Sequence, residues 1–233
     1  MPYKLLALDL DGTVVQPDLS ISPAVLQAIA AAQARGVHVT IATGRMFGAT
    51  LPFAEKIGIS GPLICFQGGL IRDSRDGAVL FHEPVPAALA GEAIELLLER
   101  KIFAIAYIDE RLWIASPRPE LDLYLGWHPE RPEVVVDPNL ANTIASAASA
   151  RLLSQGHASH TPDLATMVVA HPPTKILFVA EPPVVERECA RLGEHFAGRL
   201  LAFRSHAMFG ELTHPNVSKG AALAQLAEQM GIA

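Results

Sequence analysis

The chain has 233 residues, 50% of them hydrophobic and 18% charged, which excludes a disordered protein and leaves room for one large domain or a core with a smaller insert. Its 18 basic and 24 acidic residues give a net charge of -6 with no block of like charge, so there is no electrostatic footprint for nucleic acid or an anionic membrane. Two cysteines, Cys65 and Cys189, are too few for a disulfide framework or a thiolate zinc site and fit a reducing compartment, the cytoplasm.

Lys4 to Leu10 is an apolar run broken by Asp9 and closed by Asp11-Gly12, which predicts a buried strand ending in a turn, not a signal-peptide core. No apolar run reaches membrane-spanning length. Ser22-Pro23 opens a helix with Val25, Leu26, Ile29, Ala30 and Ala32 on one face and a stop at Gly36. Val37 to Ala42 predicts a second strand, Phe47 to Ile57 a second helix ending at Gly58, and Pro62 to Phe66 a third strand. Strand, helix, strand, helix, strand with short connections predicts an α/β fold, a doubly wound parallel sheet with helices on both faces.

After Gly68-Gly69 the pattern changes. Leu70 to Arg72 and Val79 to Glu83 flank Ser74 to Gly77 as a hairpin, and Pro84 to Pro86 marks a boundary. Beyond it come a helix at Glu92 to Arg100, strands at Ile102 to Ile108, Leu112 to Ala115, Val134 to Val136 and Thr174 to Val179, and a helix at Val184 to Phe196. Strands at Leu200 to Arg204 and Phe209 to Thr213 end this part, which reads as an inserted α+β domain. The Ala/Ser-rich stretch Asn142 to Ala170 predicts irregular structure. Ser218 then caps a helix that runs to Met230. The expected domains are residues 1–84 with 215–233, and 85–214.

The sharpest chemical signal is Asp9-Leu10-Asp11-Gly12-Thr13 at the carboxyl end of the first strand, the edge where open α/β sheets bind ligands. Two carboxylates one residue apart suit Mg2+, and one Asp can attack phosphorus while the other handles the leaving group's proton. Read alone, the five residues fit an ordinary Asp-Gly turn as well. Thr43 and Gly44, ending the second strand, offer a hydroxyl and a backbone amide to a phosphate oxygen ahead of a helix N-terminus. Lys219 is one of five lysines and stands in the first turn of the last helix, where a cation opposes the dipole and an anion would justify it; a solvated lysine is the plain alternative.

In this order and with an insert before the lysine, Asp9 to Thr13, Thr43 and Lys219 resemble the first three motifs of the haloacid dehalogenase superfamily. Ala42 to Arg45, Pro62 to Ile71 and His214 to Leu223 are similar to the Cof-type phosphatases, which carry an α+β cap of the C2 type on a Rossmann-like core. The resemblance implies a Mg2+-dependent phosphomonoester hydrolase acting on a small phosphorylated metabolite such as a sugar phosphate. It makes Asp9 the nucleophile and a metal ligand, and Asp11 the general acid/base, ligating the metal through its carbonyl. Thr43, Gly44 and Lys219 would hold the phosphoryl group, and Arg45 and Gln67 would face the substrate between core and cap. A phosphomutase uses similar motifs, and an impaired or truncated member is the other alternative.

Two departures stand out. Gln67 occupies a place where these relatives usually carry Asn. The family's fourth motif, an acidic metal-binding loop, has no counterpart after Lys219, where the only acidic residue is Glu228, about two and a half helical turns on and out of reach of the metal. The expectation is a core incomplete at its C-terminus, with slow turnover. The apolar edge of the first strand would be covered by a continuation of the chain, by a neighbouring segment, or by a second copy in a homodimer.

His157 and His160 with Asp163 or His171 have the residue types of a zinc site, but the Gly, Ser, Thr and Pro around them favour a loop. Tyr107, Trp113, Tyr124, Trp127 and Cys65 read as core residues.

Overall fold

The computed structural model describes residues 3–126, 132–136 and 164–232. Trp127, His157, His160, Asp163 and the expected irregular stretch up to residue 163 lie outside the described residues. In chain order, β1 (Leu5–Leu8), α1 (Pro23–Gln33), β2 (His38–Ile41), α2 (Phe47–Ile57), β3 (Pro62–Cys65), a 3-10 turn (Phe66–Gly68), β4 (Leu70–Asp73) and β5 (Val79–His82) come first. There follow α3 (Ala87–Glu99), β6 (Phe103–Ile108), β7 (Arg111–Ile114), α4 (Pro119–Gly126), β8 (Val134–Val136), α5 (Leu164–Ala170), β9 (Lys175–Val179), α6 (Pro182–Phe196), β10 (Leu201–His206) and β11 (Phe209–Thr213). The run closes with α7 (Lys219–Gln229). The chain forms two compact units, Met1–Glu83 with Asn216–Ala233, and Pro84–Pro215.

The first unit is an α/β layer structure built on a parallel sheet. β1 and β2 pair in parallel from Leu5↔His38 to Leu8↔Ile41, and a parallel bridge at Ala42↔Ile64 carries the order on to β3. Side chains alternate across β3, so Ile64 and Cys65 face opposite ways. Ile64 packs with Ala222 and Leu226 of α7, while the Cys65 thiol lies 3.7 Å from Thr50 Oγ1 of α2. One helix on each face of a parallel strand is the doubly wound arrangement. β3, β4 and β5 continue as an antiparallel meander with the hairpin after Asp73. Among the described residues β1 pairs along one flank only, with β2, and Leu6 on it is exposed.

The second unit is a six-stranded sheet in the order β10-β11-β9-β6-β7-β8, antiparallel except between β7 and β8. One face carries Ala104, Ala106, Ile108, Ile176, Phe178 and Leu212, buried against Ala90, Ile94 and Leu97 of α3, Met167 and Val168 of α5, and Leu192 and Phe196 of α6. The other face of β6 and β11 presents Tyr107 and Phe209, against which Tyr124 of α4 packs edge-on. The Tyr107 and Tyr124 hydroxyls also share a hydrogen bond.

Three details depart from the periodicity. α3 begins at Ala87, five residues before the expected Glu92, because an Ala-rich stretch with Ala90, Ala93, Ile94 and Leu97 at helical spacing buries its whole length. α4 was not expected at all; its Pro start and its buried pair Leu121 and Tyr124, three apart, are too short a signal to separate from a loop. Residues 164–170 were expected to be irregular and form α5, whose Leu164, Met167 and Val168 share one buried stripe.

Burial also sets the chemistry of two side chains here. The Cys189 thiol is pushed up to about 11 by burial, which leaves it protonated and unreactive at neutral pH. Glu188 is fully buried, which by itself would raise its pKa, but hydrogen bonds from Arg191 (2.7 Å) and Arg100 (3.0 Å) outweigh burial and hold it below the ordinary carboxylate range. A depressed folded-state pKa stabilises above the unfolded value, and that contribution is lost as pH falls through the folded one. Glu188→Gln should therefore destabilise the protein by about 2 kcal/mol at pH 7. Urea denaturation of the variant and wild type should show this gap shrinking as pH is lowered through and below the ordinary carboxylate range.

Candidate active site

β1 ends at Leu8, and the next three residues alternate in exposure. Leu10 is fully buried between a half-buried Asp9 and an exposed Asp11. The Leu10 carbonyl accepts N–H bonds from Thr13, Val14 and Val15 at 3.2, 3.0 and 2.8 Å, so the chain folds back on itself, helped by Gly12 at φ +71 and anchored by the buried Val14 and Val15. Burying Leu10 fixes the loop and leaves a carboxylate on either side of it. Asp9 Oδ1 accepts the Leu10 N–H at 2.9 Å.

β2 ends in a second fixed loop. Thr43 is fully buried; its N–H donates to the Ile64 carbonyl (2.9 Å), its carbonyl accepts from Gln67 N–H (3.0 Å), and its Oγ1 accepts the Arg45 N–H at 3.2 Å. The Arg45 carbonyl accepts from Phe66 N–H at 2.9 Å. These bonds hold Phe66 and Gln67 at φ 51 and φ 60, a left-handed conformation that costs non-glycine residues on the order of 1–2 kcal/mol each. Gln67 lies directly on Gly44: a Cβ there would stand 2.5 Å from its Nε2.

The third element is the start of α7. Ser218 caps it, its Oγ accepting the Ala221 N–H at 3.0 Å, and Gly68 passes so close that a Cβ would fall 2.3 Å from the Ser218 carbonyl oxygen. This seating brings Lys219 Nζ to 2.8 Å from Asp9 Oδ2 across 210 positions of sequence. Arg45 in turn grips Asp11, Nη2 to Oδ1 at 2.7 Å and Nε to Oδ2 at 2.9 Å.

All seven residues singled out by sequence, Asp9, Asp11, Thr43, Gly44, Arg45, Gln67 and Lys219, therefore lie in the first unit, linked by these contacts. Two further participants had little or no signal in sequence. Phe53 of α2 lies under the Arg45 guanidinium, 5.0 Å to the ring centre, and Gly68 was visible only as half of a Gly-Gly pair. Cys65, Tyr107, Trp113 and Tyr124 are buried, and His171 is exposed.

Among the described residues no three His, Cys, Asp or Glu side chains converge as a metal cage. Mg2+ is commonly held by one or two carboxylates with other oxygen donors, water and substrate phosphate, and the Asp9 carboxylate with the Asp11 backbone carbonyl fits that oxygen-only donor chemistry.

Comparison with known proteins defines the class. A family model described as haloacid dehalogenase-like hydrolase matches residues 6–233, and the chain belongs to that family. Among individual relatives, pyridoxal phosphate phosphatase YbhA of Escherichia coli is 32% identical over 127 residues, 54% of this chain and 47% of that enzyme. A putative phosphatase of Streptococcus pyogenes, M6_Spy0533, is 24% identical over 236 residues, covering 100% of this chain and 78% of the relative. The crystal structure of TM0651 from Thermotoga maritima is similar with a TM-score of 0.76 and 26% identity, covering 98% of this chain and 76% of that one.

The close approach at Gly68 yields a direct test. Gly68→Ala introduces both a backbone overlap and an unfavourable φ of +105, so it should lower unfolding stability by about 2–4 kcal/mol, measurable by thermal or urea denaturation. Gly77→Ala, at φ +74 in the hairpin, meets only the flexible Arg72 side chain and should cost about 1–2 kcal/mol.

Proposed function

We propose that the protein hydrolyses phosphate monoesters of small metabolites, sugar phosphates among them, through an aspartyl-phosphate on Asp9. The observation that carries this reading is the Lys219 to Asp9 ion pair at the carboxyl end of β1: a half-exposed carboxylate at the ligand-binding edge of the sheet, held against a cation at a helix start. Family membership supports the same chemistry.

In this reading the Asp9 carboxylate attacks phosphorus and the bond from phosphorus to the ester oxygen breaks. Asp11, which enters this step protonated and keeps one oxygen on Arg45, gives that oxygen its proton. Water then attacks the aspartyl-phosphate, Asp11 takes a proton from it, and phosphate and free Asp9 result. Lys219 and the Thr43 hydroxyl, whose oxygen already accepts from Arg45 N–H and whose proton remains to donate, stabilise charge on the phosphoryl oxygens. Gly44, next in the chain after Thr43, would turn its backbone amide toward the same group. Mg2+ bound by the carboxylate of Asp9 and by Asp11 would neutralise substrate charge and lower the repulsion between phosphate and Asp9. The second unit acts as the cap that selects the organic part of the substrate, and the two free cysteines suit a cytoplasmic setting.

The test is phosphate release from a panel of phosphorylated metabolites and from p-nitrophenyl phosphate. Asp9→Asn should lower turnover at least about 10³-fold, and Thr43→Val or Lys219→Ala about 10²-fold. Excess EDTA should abolish activity and added Mg2+ restore it. Full activity in Asp9→Asn, or in EDTA, overturns the mechanism.

A further inference from the structure

Asp11 is on an exposed loop, where a carboxylate is ordinarily free to sample rotamers. Here it is not free. Arg45 Nε and Nη2 donate to its two oxygens at 2.9 and 2.7 Å, the planar fork that fixes the plane of a carboxylate and that a lysine cannot reproduce. The burial of the two partners is unequal: the Arg45 side chain is 9% exposed and that of Asp11 57%. The arginine is thus the anchored member and the aspartate the member being held.

The anchoring is visible at both ends of Arg45. Its guanidinium lies over the Phe53 ring at 5.0 Å, and its backbone is fixed by the Thr43 hydroxyl on one side and by Phe66 N–H on the other. The fixed loop at the end of β2 therefore reaches across to the exposed Asp11 of the β1 loop and sets the direction of its carboxylate.

We infer that Arg45 is a positioning residue for Asp11, aiming its carboxylate for proton transfer, and that direct binding of substrate is not its main role. This rests on the assignment of Asp11 as the acid/base in the reading above. A proton donor out of alignment by a small rotation loses much of its effect, because proton transfer depends on hydrogen-bond reach and geometry before anything else.

The inference separates from substrate binding by the demand of the leaving group. An alkyl phosphate needs its leaving oxygen protonated, whereas p-nitrophenolate leaves without a proton. In Arg45→Met and Arg45→Lys, kcat for the best alkyl phosphate should fall on the order of 10²-fold, and for p-nitrophenyl phosphate less than about 5-fold, with KM for both within about 3-fold. In an Asp11→Asn background, Arg45→Met should cost the alkyl ester less than about 3-fold, because the group it aims is already gone. Phe53→Leu, which removes the ring under Arg45 and leaves both charged groups in place, should give the same selective loss at smaller size and serves if Arg45→Met does not fold.

Equal losses on the two esters, a rise in KM with kcat retained, or an undiminished cost in the Asp11→Asn background would each overturn the positioning role. Failure of the wild-type chain to release phosphate from either ester, or full activity in Asp9→Asn, would overturn the hydrolase reading itself and the role of Arg45 with it.

Discussion

The close approach of Gly68 to the Ser218 carbonyl is the contact on which the first unit's site depends. A side chain at residue 68 would meet that oxygen at 2.3 Å, so only glycine lets the turn after β3 and the start of α7 touch. The packing of Ala222 and Leu226 against Ile64 and Ile71 then holds the rest of the helix on the sheet. Lys219 is delivered to Asp9 by this packing, and the short-range sequence around either residue could not have brought them together.

Around that contact the charges come in matched pairs. Asp9 has Lys219 and Asp11 has Arg45, with both carboxylates partly or largely exposed. Ion pairs with a solvent-exposed partner contribute little to stability, about 0–1 kcal/mol where both partners are exposed, so stability alone gives little reason to gather two of them on one loop. Their value lies in geometry: each cation fixes one oxygen or one plane at the end of β1. The strained Phe66 and Gln67 backbone belongs to the same economy, since the bonds from Gln67 N–H and Phe66 N–H that hold it also lock the Thr43 to Arg45 loop.

The second unit uses different means. Its antiparallel sheet is stabilised by a large apolar face under three helices, and its ionised groups are structural: Glu188 is clamped by arginines, and Lys175 and Glu211 form an ion pair at 3.1 Å that is almost fully buried. A buried ion pair of that kind is costly to break and modest in net worth. The unit can thus be read as a self-supporting module, with its own core and its own internal electrostatics, interrupting a chain that resumes the first unit at Asn216.

Sequence by itself determined the periodic elements and the residue types. The alternation of apolar runs and helical stripes through Ile57 fixed the α/β pattern, because burial on a sheet or a helix leaves a period that survives in one dimension. The carboxylate pair at Asp9 and Asp11 was legible for a related reason: two acids at the end of an apolar run are chemically conspicuous. Short elements were not legible, as α4 and α5 show, because two or three buried residues make no period. What only the tertiary structure decided were the partnerships. Lys219 with Asp9, Arg45 with Asp11 and over Phe53, and Gly68 under Ser218 are set by strand order, helix seating and local backbone strain, none of which is carried by the spacing of residues along the chain.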